Sequence, residues 1–267
     1  MAGLTPRYHQ VPIVYRDNAP TKAFTAIEDH EVNWADELAM EPRDKQMLLE
    51  PVDQHIVRNV KALTRELGIP SYAFGDYSYD PVPVPPLFTA LTTGDMALSP
   101  SVYAPQLNAI ILQHNHVVEL ELRNPDSLIV HTYHSHGHAF QVVESGPVHK
   151  NSSIPVKRFK GRQPMRRDTI TLATGRYVRV RIKADNPGVW YQHCHQEQHN
   201  FSGLAFTLIE APDVMQQTLR VPQEMVEFCR ILGHPTQGNS AGRAGSDMTG
   251  IKPPLKIHGL PDSTSGS

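Results

Sequence analysis

Three stretches of the chain repeat with a period of two. Val118, Leu120 and Leu122 alternate with Glu119 and Glu121, and Val178, Val180 and Ile182 alternate with Arg179, Arg181 and Lys183. Leu204, Phe206 and Leu208 alternate with Ala205, Thr207 and Ile209. Successive side chains of a strand point to opposite faces, so each run predicts a strand with one apolar and one polar face. Turn residues such as Asn124-Pro125-Asp126 and Thr174-Gly175-Arg176 lie between the runs. Short strands punctuated by turns predict an all-β sandwich or barrel. Ile56, Val60, Leu63 and Leu67 fit a helical face, although a strand fits the same segment. Proline-rich Tyr79 to Leu87 is expected to be extended. Pro222 to Leu232 predicts a short helix, with Pro222 in its first turn and Gly233 at its stop. Met225, Val226, Phe228, Cys229 and Leu232 would form the face that docks on the sandwich.

The flanks are different. Residues 1–20 are polar apart from Val11-Pro12-Ile13-Val14-Tyr15, and they read as the remnant of a preceding domain. Residues 21–54 are charged and patternless, as in a linker. From Thr236 the chain is rich in Gly, Ser and Pro, which predicts a disordered tail over 236–267. The expected organisation is therefore one domain over 55–212 and a helical extension over 213–235.

Charge adds little. The 267 residues carry a formal net charge of −2, and no basic run points to nucleic acid or to a membrane surface. The start of the chain shows no apolar signal-like stretch, and the sequence leaves localisation undetermined. Composition matters at two residue types: there are 15 histidines and only two cysteines, Cys194 and Cys229. A disulfide framework needs more cysteine. Cys194 sits among histidines, which argues against a bridge to Cys229.

Two segments concentrate the chemistry. One is His131-Thr132-Tyr133-His134-Ser135-His136-Gly137-His138, and the other is His193-Cys194-His195-Gln196-Glu197-Gln198-His199. On a strand, His193 and His195 face one side and Cys194 the other, so one strand can serve two metal sites back to back. His199 is five residues beyond Cys194, far enough for a loop to bring it back. A thiolate with two imidazoles in a trigonal set is a blue-copper arrangement. His131 is the natural third donor, and Leu204 would occupy the weak axial position without coordinating. His134, His136, His193 and His195 then form a second cluster. A zinc site would normally use more than one cysteine, so copper fits this set better. His114-Asn115-His116 and the isolated His9, His30, His55, His149, His234 and His258 have no partner motif and are read as bystanders.

With these motifs the chain resembles the multicopper oxidases, especially fungal laccases and iron-transport ferroxidases. The resemblance extends to Arg166-Arg167-Asp168-Thr169, to Asp185-Asn186-Pro187-Gly188-Val189-Trp190, to Thr89-Ala90-Leu91-Thr92-Thr93-Gly94 and to the stretch from Cys229 to Asn239, about residues 20–240 in all. It implies a cupredoxin-like Greek-key β-sandwich, the third such domain in that family. It implies type 1 copper at His131, Cys194 and His199. It implies type 2 copper at His134 and a type 3 pair at His136, His193 and His195. Four single-electron oxidations would feed the reduction of O2 to water. Thr132, Ser135 and Gln198 depart from the family's usual Pro, bulky apolar residue and aromatic, and make the surroundings more polar. The family's first domain supplies four further histidines, which nothing upstream of residue 109 matches. The type 2 and type 3 sites are therefore expected to be partial, with another chain carrying the missing domains as one source of ligands. The expected reductant is a phenol or pigment precursor, as in fungal secondary metabolism, or Fe(II). For Fe(II), an acidic residue near His131 would help carry the electron out, and Asp126 lies in the loop before His131, which is one residue longer than the resemblance leads one to expect. A phenolic donor is therefore preferred. The alternatives are a single-copper electron carrier without oxidase turnover and an inactive fragment.

Overall fold

Each of the alternating runs becomes a strand, and two sheets stack through the apolar faces. The computed structural model describes residues 38, 40, 42–64, 70–126 and 128–257. The expected remnant at 1–20, most of the linker and residues 258–267 lie outside the described residues, as do His9, His30 and His258.

In chain order the strands are β1 (Gln54–Thr64), β2 (Pro70–Phe74), β3 (Ile110–Leu112), β4 (Val117–Asn124), β5 (His131–Ser135) and β6 (Phe140–Pro147). They continue with β7 (Lys157–Arg158), β8 (Arg166–Arg167), β9 (Thr169–Leu172), β10 (Arg176–Lys183), β11 (Gly188–Cys194) and β12 (Ala205–Glu210). The first sheet runs β2-β1-β4-β10-β6-β7, with β8 also on β6. The second runs β3-β12-β11-β5-β9. All pairs are antiparallel except β1 with β4 and β3 with β12. The segment with two readings is thus a strand, and its pairing with both β2 and β4 explains why the strand wins over the helical face.

Val118, Leu120, Leu122, Val178, Val180, Ile182, Phe206 and Leu208 meet between the sheets with Phe74, Tyr133, Phe140 and Cys194. Burial of such side chains contributes about 1.5–3 kcal/mol each. The polar faces are less open than their alternation predicts. All of β12 is buried, because Ile209 lies under a helical layer that includes Met215 and Ala90. On β4, Glu119 and Glu121 are only 7% exposed beneath arginines of β10. Residues 42–53 run along the first sheet, with the Leu49 amide donating to Gln141 and the Asp53 amide donating to the Val117 carbonyl.

The helices are α1 (Pro86–Thr92), α2 (Glu197–Phe201), α3 (Pro212–Thr218) and α4 (Gln223–Ile231). Two expectations need correction. The apolar face of α4 does not dock on the sandwich: Met225, Phe228 and Leu232 are 56–57% exposed and Ile231 67%. A nine-residue helix with a mixed face has too little apolar area for the pattern to dictate its packing. Residues 236–257 are not a disordered tail. Asn239 and Ser240 are fully buried, Ser240 exchanges hydrogen bonds with Val102 and Ala104, and Lys256 bridges Tyr77. The Asn239 amide donates to Gly245 and Asp247, so side-chain bonds hold a segment whose composition alone reads as unstructured.

Candidate metal centre

Strands β5 and β11 lie side by side at the centre of the second sheet, and their register builds the site. His134 is opposite His193 and Tyr133 is opposite Cys194. Opposed residues share a face, so the two histidines project together while Cys194 and Tyr133 turn into the core. The β5 strand ends are pinned by the His195 amide donating to Thr132 and the Ser135 amide donating to Asp168. Beyond β11 the chain turns through α2, and the Leu204 amide donates to the His199 carbonyl as β12 begins. Gly203 makes this return with φ +95, and a Cβ there would lie 2.0 Å from Ser78 Oγ.

The first group is His131, Cys194 and His199. The two Nδ1 atoms are 3.0 Å apart, and Cys194 Sγ is 3.9 Å from that of His131 and 3.7 Å from that of His199. Metal bonds of about 2.0 Å to nitrogen and about 2.3 Å to sulfur at trigonal angles call for separations of about 3.5 and about 3.7 Å. The donor set therefore fits one ion held by two imidazoles and a thiolate. Burial lowers the pKa of His131 to about 4, with the charge of His199 acting the same way and Asp126 opposing. His199 is lowered by burial as well, whereas burial raises Cys194. Both imidazoles are neutral at neutral pH and free to ligate, and the thiol proton would leave on metal binding. Leu204 is fully buried in the same apolar cluster as Cys194, and its carbonyl accepts the Cys194 amide. The Tyr72 ring packs edge-on against His131 and at a tilt against His199.

The second group is His134, His136 and His193. The Nε2 atoms of His136 and His193 are 3.1 Å apart. His134 Nδ1 is 2.9 Å from the Thr169 hydroxyl and His193 Nδ1 is 3.0 Å from the Cys194 carbonyl. Such partners fix the ring tautomer and leave Nε2 for a metal. The ring of His195, expected in this cluster, is 5.3 Å from that of His134, as near as the ring of His193 is, but its donor atom is not among the three that converge. His114 and His116 belong to neither group. Cys229 and Cys194 are both free thiols.

Several contributors carry no sequence signal of their own. Tyr133 donates to Gln192 beneath the strands at 2.5 Å, and Tyr191 stacks on His193 at 4.9 Å. Only the register places them there.

The family described as multicopper oxidase matches residues 79–214. The iron transport multicopper oxidase FET3 of Gibberella zeae is 34% identical over 93% of this chain and 40% of its own length. The iron transport multicopper oxidase FET5 of Saccharomyces cerevisiae is 34% identical over 89% of this chain and 41% of its own. Among solved structures, Fet3p, a multicopper oxidase that functions in iron import, superposes with a TM-score of 0.75 at 28% identity, covering 91% of this chain and 47% of that one. The chain thus spans about two fifths of the length of the curated relatives it matches.

Proposed function

The chain belongs to the multicopper oxidase family, and from that premise we propose that it is a copper-dependent oxidoreductase module in which Fe(II) is oxidised at the His131–Cys194–His199 group and O2 is reduced at the second histidine group. The observation that carries this reading is the convergence of one sulfur and two ring nitrogens at metal-ligand separations. Copper held there would supply a one-electron acceptor. The protein's own residues do the rest. His131 is fully buried and His199 is partly exposed, so His199 offers the edge that a reductant can approach. Cys194 is bonded through the backbone to His193 and His195, a short covalent route from one group to the other.

Two observations favour Fe(II) over the phenolic or pigment-precursor donor preferred from the sequence. The relatives above are named as iron-transport oxidases. The charge of Asp126 acts on His131 against the effect of burial, and a carboxylate charge near the first group would favour a dication over a neutral phenol. Among the described residues only three histidines converge at the second group, and a full oxygen-reducing cluster would draw further ligands from another segment or chain.

A second reading is favoured by the completeness of the first group within this chain: a single-copper electron carrier. Copper-loaded protein is expected to show the intense blue thiolate-to-copper absorption, and Cys194→Ser to lose it, with His114→Ala unchanged. Oxygen uptake with Fe(II) supports the oxidase. Blue colour without uptake, even with a chain supplying further histidines, supports the carrier. A colourless copper-loaded protein defeats both.

A further inference from the structure

One network around a buried carboxylate near the second group is not explained by either reading. Glu210, at the end of β12, is fully buried. Its Oε2 accepts from His138 Nε2 at 2.6 Å, and its Oε1 accepts the Asn186 amide at 2.6 Å. The Asn186 side chain donates to the Gly137 carbonyl at 2.9 Å, and the Asn186 carbonyl accepts from Trp190 Nε1 at 2.8 Å. The Trp190 indole lies so close to Gly137, whose φ is +80, that a Cβ there would be 2.3 Å from Cδ2. Three residues from two separate stretches, Glu210 on one and Asn186 and Trp190 on the other, thus close on the two-residue turn Gly137-His138.

A buried carboxylate costs several kcal/mol unless its oxygens are satisfied, so this arrangement is a costly way to hold an ordinary loop. What the turn carries is His136, directly before Gly137. Its ring is exposed, and among the described residues its close contacts are the other ligand rings and Tyr191. An exposed ring on an unrestrained turn would sample several rotamers, whereas a metal ligand has to be held near one geometry.

We propose that Glu210, through His138 and Asn186, is a positioning residue that fixes the Gly137-His138 turn and so aims His136 Nε2 at the second metal site. This inference rests on the reading of His134, His136 and His193 as metal ligands. The backbone of His136 is separately tied to β11, since its amide donates to Tyr191 and its carbonyl accepts from Gln192. Loss of the network therefore loosens the ring without unzipping the strand. It leaves the first group, on the opposite face of β11, unchanged.

The test uses the full chain loaded with copper. Cu(II) affinity at the second group is measured by electron paramagnetic resonance of the non-blue signal against a competing chelator, and the first group is followed by its blue absorption. Glu210→Gln keeps the size but offers one acceptor oxygen where two are needed. Asn186→Ala removes an exposed side chain and only the bond to Gly137, so it guards against misfolding. Both variants are expected to lose about 10- to 100-fold in affinity at the second group with the blue band intact. Unchanged affinity, or a parallel loss of the blue band, would each overturn the proposal. A wild-type chain that takes up no second ion would instead defeat the reading of His134, His136 and His193 as ligands, on which the proposal rests.

Discussion

Acid should weaken the copper-free chain, and His131 sets a calculable part of the effect. Its ring is fully buried, and its pKa falls from 6.5 to about 4, mainly through burial. Protonation is thus disfavoured in the folded state. The stability from this group is complete above the unfolded value and is lost as pH falls towards 4. Between pH 7.5 and pH 4.5 the shift is worth about 2.5 kcal/mol, set against a total of about 5–15 kcal/mol for a typical domain. His199, with its Nδ1 3.0 Å away, acts with the same sign, as do His136 and His193. Carboxylates with lowered pKa, such as Asp76, also lose stability in acid. The isolating measurement is therefore a difference. Urea unfolding of the copper-free chain and of His131→Gln would be compared at both pH values. The wild-type chain should lose about 2.5 kcal/mol more than the variant across this interval. Equal losses would refute the account of a buried neutral imidazole.

Gly203→Ala should cost about 3 kcal/mol or more, because φ +95 and the contact with Ser78 Oγ both oppose a Cβ. Thermal melting reads the cost, and the blue absorption should fall with it, since this turn sets His199. On the outer face of the first sheet, Arg179 pairs with Glu121 at 2.6 Å and Glu144 at 2.9 Å. Arg179→Met should cost about 1–3 kcal/mol by leaving these nearly buried carboxylates short of a partner, discounted because Arg179 is partly exposed. Denaturant unfolding at neutral pH checks it, and a stabilised variant would show that the ladder is dispensable.

The sandwich was legible because its core strands alternate cleanly. Val118-Leu120-Leu122 and Val178-Val180-Ile182 carry their burial in local periodicity, which depends on nothing distant in the chain. The division of candidate ligands was legible for the same reason: period two alone sends Cys194 inward and His193 outward. Composition misled at the C-terminal segment, where Asn239 and Ser240 are held by bonds to residues more than 130 positions away or by local side-chain turns. The α4 face misled because amphipathic spacing says which side is apolar and not whether anything covers it.

Spacing along the sequence decided which residues can face one another, since strand geometry is local. Which of them meet was decided by the register of β5 on β11 and by the turn through Gly203. These bring His131 and His199, 68 residues apart, to 3.0 Å. They also leave the His195 donor atom outside the convergent three and gather Glu210, His138 and Asn186 around one turn. Such contacts join segments that share no local pattern, and only the folded chain holds them together.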